Sequence, residues 1–276
     1  SVERMLRAFR AEGKKPAFKL PKVLLLDIET AQILMKGWRS GQQFIHENRI
    51  MNDPYIICWQ AKWLYDSHYM GACVTPKEAV ARNDKRILQE AWALVDEADM
   101  IIGHNVEKFD LNTLNAHFAK HDMMPPRLYQ TIDTLAHSRR VFRLPSQKLD
   151  YLTKFFKLPE KLRTNIWLWD DCENGDEDAL KRMFRYCKRD VGGLEELYLK
   201  IRPWMKSHPN LVLYGDMTEM RCSYCGSDNL KRNGQYVTMM NKYQTYRCKD
   251  CQGISRGRKS MIDKLQRKQL TRSPAR

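Results

Sequence analysis

Four apolar residues, Val23-Leu24-Leu25-Leu26, run without a break into Asp27-Ile28-Glu29-Thr30. An apolar run of this length reads as a strand buried on both faces, the pattern of a central strand in an α/β sheet. Side chains on a strand alternate, so Asp27 and Glu29 emerge on one face with Ile28 on the other. Two carboxylates on one face repel unless a cation sits between them, and hard divalent cations take oxygen ligands of this kind. An ordinary strand end that happens to carry two acids is the alternative.

The chain around this strand has the punctuation of a mixed sheet. Residues 1–20 read as a basic N-terminal helix and linker, and residues 31–53 as a long loop. Tyr55 to Trp63 and Ser67 to Val74 read as second and third strands, separated by a gap short enough for a hairpin. Asp84 stands where it would cap a helix from Lys85 to Ala98, in which Ile87, Leu88, Ala91, Leu94 and Val95 fall at helical spacing. Another buried strand spans Met100 to His104, a helix opens near Asp110 and runs to about His121, and Tyr129 to Thr134 is a fifth strand. From Ser146 the pattern turns helical, with Leu149, Leu152 and Phe156 on one face, and a long helix covers Glu177 to about Lys200. Three antiparallel strands followed by alternating helices and strands predict an α/β domain with a mixed sheet over residues 21–215.

Two further acidic sites lie on this frame. Asp110 ends His104-Asn105-Val106-Glu107-Lys108-Phe109-Asp110 at a strand-to-helix junction, where ligands gather in open α/β sheets. Capping its own helix is the competing role. On the long helix, Tyr186 and Asp190 are four apart and face one side; a half-exposed helix surface would show the same pair. Gly192 and Gly193 follow, each about 1 kcal/mol worse than Ala in a helix, which argues for close backbone approach there.

"LLLDIET", "HNVEKFD" and "YCKRDV", in this order and spacing, resemble the three motifs of the DEDD superfamily of 3′→5′ exonucleases. Tyr186, four residues before Asp190, resembles the tyrosine subclass, which includes the proofreading domain of family B DNA polymerases; the histidine subclass would place His where Arg185 stands. Leu168-Trp169, Gly175-Asp176, Met183 and Tyr186 also resemble stand-alone polymerase-B-like exonucleases, many of them phage-encoded. The resemblance covers about residues 22–200 and implies a ribonuclease-H-like fold. It implies a stand-alone enzyme as well, a chain of this length leaving no room for a polymerase domain. Asp27, Glu29, Asp110 and Asp190 would hold two Mg²⁺ or Mn²⁺ ions. Tyr186 would orient the attacking water, because a phenol with a pKa near 10 is a poor base at neutral pH. Thr30, Asn105 and Phe109 would touch the substrate; a turn Asn and a core Phe are the competing readings. The chemistry agrees, since phosphodiester hydrolysis needs an activated water, a stabilised leaving oxygen and neutralised phosphate charge, which a two-metal site supplies. A catalytically idle nucleic-acid-binding adaptor and a structure-selective endonuclease on the same fold are the alternatives.

Near Asp216 the composition changes. Cys222-x-x-Cys225 and Cys248-x-x-Cys251 carry the spacing of one tetrahedral Zn²⁺ site, with strands at Tyr236–Thr238 and Tyr243–Tyr246 between the pairs, so residues 216–254 read as a zinc ribbon holding one structural Zn²⁺. Gly226 and Gly253 suit the turns after each pair. Cys58, Cys73, Cys172 and Cys187 show no ligand spacing and read as core or surface thiols. Of the net charge of +15, residues 216–276 contribute 14 Lys and Arg against 5 acids. That balance suits a polyanionic partner, and Lys231, Arg232, Lys242, Arg247 and Lys249 interleaved with Tyr236, Tyr243 and Tyr246 suit phosphate contact and base stacking. A structural or protein-docking module remains the alternative for the ribbon. Residues 255–276 read as a basic tail without order. The partners implied are single-stranded nucleic acid, DNA more than RNA, and replication or repair proteins. No run is long enough to span a membrane and no secretory segment opens the sequence, so the expected setting is the cytoplasm of a bacterial or phage-infected cell.

Overall fold

The central strand pairs on both edges, as its unbroken apolar run requires. The computed structural model describes residues 21–159, 165–215 and 217–271; the expected N-terminal helix over 1–20 and the last residues of the tail lie outside them. In chain order the first unit contains β1 (Val23–Thr30), β2 (Leu34–Met35), β3 (Ile50–Asn52), β4 (Ile56–Trp63), β5 (Met70–Cys73), α1 (Pro76–Val80), α2 (Lys85–Glu97), β6 (Met100–Gly103), α3 (Asp110–Lys120), β7 (Gln130–Asp133), α4 (Thr134–Val141), α5 (Leu149–Phe155), α6 (Trp167–Glu173) and α7 (Glu177–Ile201). Its sheet runs β5-β4-β1-β6-β7, antiparallel from β5 to β1 and parallel from β1 to β7. This is the mixed sheet flanked by helices that the sequence predicts. The loop expected over 31–53 instead contains the short β2–β3 pair, whose residues are exposed and therefore carry no burial pattern to read.

The core is built from the strands and the apolar stripe of α2. Leu24, Leu26 and Ile28 of β1 pack with Ile56, Trp59 and Ala61 of β4 and with Ile87, Leu88, Ala91 and Val95 of α2. Each fully buried aliphatic side chain contributes about 1.5–3 kcal/mol of transfer free energy. The long helix α7 is fixed across the sheet by a buried ion pair, Lys62 Nζ to Glu195 Oε2 at 2.5 Å, whose carboxylate also accepts the Tyr65 amide. Gly192 answers the question its sequence position raises. A Cβ there would lie 3.0 Å from the Tyr69 hydroxyl, a tight contact that this side chain would have to yield to, whereas one at Gly193 would meet Thr153 at an ordinary 3.6 Å.

Asp84 does not cap α2 through its side chain. The carboxylate is fully buried, accepts from His121 at 2.8 Å and the Ile56 amide at 3.0 Å, and has His117 Nδ1 at ion-pair distance, 2.6 Å. It joins α2, α3 and β4 at one point. A buried carboxylate with three partners is worth more to the fold than a cap on a solvent-facing helix end, which explains the departure from the expected role.

The second unit includes residues from Leu199 onward. It contains 3₁₀ turns at Arg202–Trp204 and Leu211–Tyr214, then β8 (Leu230–Val237), β9 (Lys242–Cys248), β10 (Ile254–Ser260) and α8 (Lys264–Lys268). The three strands form one antiparallel sheet in the order β10-β9-β8. The segment before the ribbon packs with it: the Tyr224 hydroxyl donates to the Met205 carbonyl at 2.8 Å, and the Leu211 amide to the Ser223 carbonyl at 2.9 Å. The tail expected to lack order instead supplies β10 and α8. Its order comes from main-chain pairing with β9 and from a reciprocal cap in which Asp263 and Gln266 each accept the other's amide, neither of which requires apolar residues.

The Asp84 cluster gives a direct test. Burial alone would push this carboxyl up, but the contacts with His117, the Ile56 amide and His121 outweigh it and hold Asp84 well below the usual carboxylate range. A depressed folded pKa contributes stability above the unfolded value near 3.8 and loses it as pH falls below that value. Asp84→Ala should therefore lower the unfolding free energy at neutral pH by about 3 kcal/mol or more. In denaturant titrations from about pH 6 down to about pH 3, the gap between wild type and variant should narrow.

Candidate active site

The elements above bring the acidic residues of β1 and α7 together. β1 pairs Asp27 with Gln60 and Glu29 with Cys58 across β4, so these four side chains share a sheet face. α7 crosses there, and the Cys187 thiol lies 3.4 Å from both the main-chain oxygen and Oδ2 of Asp27. One turn on, Asp190 completes a group in which single carboxylate oxygens of Asp27, Glu29 and Asp190 all lie within 4.8 Å of one another. Asp110 stands just outside that group. It begins α3, with Phe109 in the capping position, and its Oδ1 accepts the Ile28 amide at 3.2 Å. Its carboxylate is thus directed at β1.

The electrostatics follow from the crowding. Burial, and then the charges of Asp110, Asp190 and Glu29, push Asp27 well above the usual carboxylate range, with the Cys187 thiol pulling weakly the other way. Burial lifts Asp110 to about 7, against the opposing hydrogen bond of the Ile28 amide and with a smaller push from Asp133. Acidic oxygens held this close favour either protons or a divalent cation, and their hard-oxygen chemistry fits Mg²⁺ or Mn²⁺. Asp27, Glu29 and Asp190 would hold such an ion, with Asp110 beside them.

The remaining expected residues surround this group. Tyr186 precedes Asp190 by one turn of α7, is mostly buried, and meets the Trp169 ring edge-on at 6.1 Å. Asn105 adopts a left-handed φ of +78° and donates its amide to Asp133 Oδ1 at 3.0 Å. Phe109 is 42% exposed, so it is not a core residue. Thr30 ends β1 after a register shift and pairs with Ile56. Two residues the sequence did not single out shape the site. Asp133 ends β7, holds the Asn105 amide and caps α4 through Leu135 and Ala136. His104 bridges the Thr134 hydroxyl and the Gln147 carbonyl. An acid at a strand end followed by a helix is the signal for Asp133; His104 opens the second motif, but nothing local reveals its bonds, whose partners lie 30 and 43 residues away.

The four ribbon cysteines form a second cluster. Their sulfurs lie within 4.8 Å of one another, with Cys222–Cys251 at 3.5 Å and Cys225–Cys248 at 3.7 Å. A tetrahedron with metal–sulfur bonds of about 2.3 Å has edges of about 3.8 Å, so the set fits a structural Zn²⁺. Gly226 takes φ +75° after the first pair. After the second pair Gln252 takes the left-handed position, and Gly253 serves space instead: a Cβ there would lie 2.7 Å from the Tyr224 ring. Cys58, Cys172 and Cys187 are buried core thiols and Cys73 is half-buried.

Comparison with known proteins gives three findings. Residues 64–202 match the family profile described as the RNase_H superfamily, a span that contains Asp110, Tyr186 and Asp190. The structure of the family B DNA polymerase from the hyperthermophilic archaeon Pyrobaculum calidifontis is similar with a TM-score of 0.50 and 17% identity, covering 70% of this chain. At that identity the likeness is one of fold, and the match spans 26% of the polymerase chain. No curated protein sequence matches the chain. Among the described residues no helix is long and apolar enough to cross a membrane.

Two measurements follow. A carboxyl raised to about 7 stabilises the metal-free fold fully below about pH 4 and loses that contribution as pH rises through 7. A divalent ion takes over where the proton leaves, so the rise in Tm on adding Mn²⁺ should be small near pH 5 and several degrees near pH 8. Asp190→Asn should remove most of that rise. For the ribbon, Cys222→Ser with Cys251→Ser should bring bound zinc from about one per chain to near zero by elemental analysis. It should also release the slow amide exchange of β8–β10.

Proposed function

The chain belongs to the RNase H superfamily, and on that premise we propose that it is a metal-dependent 3′→5′ exonuclease acting on single-stranded nucleic acid, DNA in preference to RNA. The observation that carries the reading is the convergence of Asp27, Glu29 and Asp190 within 4.8 Å, with Asp110 directed at the same strand and Tyr186 one turn away. Bound divalent ions would neutralise phosphate charge, lower the pKa of a water and stabilise the leaving oxygen. The chain's own residues supply the rest. Asp27 and Glu29 present their carboxylates from a stretch of β1 paired with β4, and Asp190 does so from a helix fixed by the Lys62–Glu195 pair, so little reorganisation is needed. The Tyr186 hydroxyl acts by hydrogen bonding to the attacking water and orienting it, its phenol being too weak a base to take the proton. Phe109, exposed at the start of α3, offers a ring for the terminal base to stack on, and Asn105 and Thr30 border the same strand ends.

The ribbon adds a nucleic-acid surface of its own. Its strands hold Lys231, Arg232, Lys242, Arg247, Arg256, Arg258 and Lys259 and no acid. The Arg256 guanidinium lies over the Tyr243 ring at 4.4 Å and the Tyr236 ring at 5.5 Å. The register puts Lys231, Arg247, Arg256, Tyr236 and Tyr243 on one face, a set of cations and rings that suits a single strand.

The test is a 5′-labelled single strand with Mg²⁺ or Mn²⁺. The expected product is a ladder shortening from the 3′ end, abolished by EDTA, with closed circular single strands left intact. Asp110→Ala and Asp190→Ala should each lower turnover by several orders of magnitude, and Tyr186→Phe by about 10²–10⁴-fold. Cleavage of the circle would move the reading to an endonuclease. Binding without cleavage under all metal conditions would move it to an adaptor.

A further inference from the structure

We propose that Arg139, Arg140 and Arg143 form a phosphate-binding cleft that grips the backbone of the nucleic-acid strand whose end enters the carboxylate group; the proposal rests on the nuclease reading and names where that substrate is held. The three guanidinium side chains, with Val141, Phe142, Leu144 and Gln147, line a cleft of about 370 Å³ at the end of α4. All three arginines are exposed. Among the described residues no carboxylate pairs with Arg139 or Arg143. The like charges that Arg139 and Arg143 bring to one concavity repel, and an anion relieves that repulsion. The planar guanidinium fork matches phosphate oxygens two at a time, which makes phosphate the chemistry of choice over a diffuse negative surface.

The cleft continues into a longer basic surface and is tied to the candidate site. Residues 139–157 hold six Lys and Arg, and their one acid, Asp150, pairs with Lys154 at 2.8 Å. Phe142 meets Phe156 edge-on at 5.6 Å, and Phe155, 53% exposed, stacks with Tyr151 at 6.3 Å. Cations next to exposed rings are the composition of a single-strand track, phosphates on one and bases on the other. Gln147 holds the rim by accepting the Ser138 hydroxyl and donating to the Phe142 carbonyl. Its own carbonyl bonds His104, the residue before Asn105. The cleft therefore hangs from the strand-end loop that leads to Phe109 and Asp110. A strand seated there is held by the same framework that positions its end.

The experiment compares the full-length wild type with Arg139→Gln/Arg140→Gln/Arg143→Gln, the matching triple Lys variant, and a control, Lys77→Gln/Lys85→Gln/Lys120→Gln, that removes three exposed charges elsewhere. Affinity for a fluorescein-labelled oligothymidylate is measured by anisotropy against salt, with Ca²⁺ in place of Mg²⁺ to suppress cleavage. The Arg→Gln triple should bind about 10- to 100-fold more weakly near 0.1 M salt. Its slope of log K against log salt should be flatter by about 0.7 for each phosphate left without its cation, or about 2 for three. The Lys triple should recover most of the slope and part of the affinity, because it restores charge without the fork. With Mg²⁺, the Arg→Gln triple should need a correspondingly higher substrate concentration while its saturated rate stays within about twofold. Unchanged affinity and slope, or an equal loss in the control, would overturn the cleft. A wild type that binds through these arginines but cuts no strand would keep the cleft and remove the nuclease reading. Cutting that ignores the arginines would do the reverse.

Discussion

Repulsion among Asp27, Glu29 and Asp190 is the constraint that the rest of the first unit has to satisfy. Left to themselves, a strand end and a helix carrying these charges would separate. The fold opposes that with interactions on either side of the acids. The apolar run of β1 is paired along both edges, and Lys62 and Glu195 bind α7 across β4 a turn and a half beyond Asp190. The raised pKa of Asp27, set first by burial and then by the charges of Asp110, Asp190 and Glu29, records the cost that remains. That cost is what a divalent ion would relieve, so a site unfavourable when metal-free becomes selective for charge-dense cations.

Much of this was legible in the sequence wherever the signal was local and periodic. The β1 run needed only its apolar count and the four cysteines only their spacing, whereas the Tyr186–Asp190 pair stood out only through the resemblance of the three motifs taken in order. The mixed sheet followed from the order of elements. What was not legible depended on partners far along the chain. Asp84 looks like a helix cap from its neighbours, and only the arrival of His117, His121 and the Ile56 amide makes it a buried hub. His104 reads as a polar residue after a strand until Gln147 closes on it. The pair β2–β3 and the strand β10 escaped for another reason: β2 and β3 are too short to show a period, and β10, Ile254 to Ser260, has one apolar side chain among polar residues and a glycine.

The two metal-ligand sets illustrate opposite uses of side-chain chemistry. The ribbon has almost no apolar core of its own; its buried centre is the four cysteines, with Tyr224 and Leu230 packed on them. A unit of that kind depends on metal for its stability. The carboxylate group sits on a sheet with an apolar core of its own. On the proposed reading, loss of zinc would threaten structure and loss of magnesium would threaten chemistry.

The contact between Cys187 and Asp27 joins positions 160 residues apart in sequence. On a ribosome adding about 5–20 residues per second, β1 is made on the order of ten to thirty seconds before α7 can reach it. During that interval the nascent chain displays Asp27, Glu29 and Asp110 without Asp190 or Tyr186, beside the messenger that encodes it and the RNA of the ribosome. If the chain is the nuclease proposed, the order of elements would delay cutting during synthesis, since α7, which brings Asp190 and Tyr186, is among the last parts of its unit to be translated.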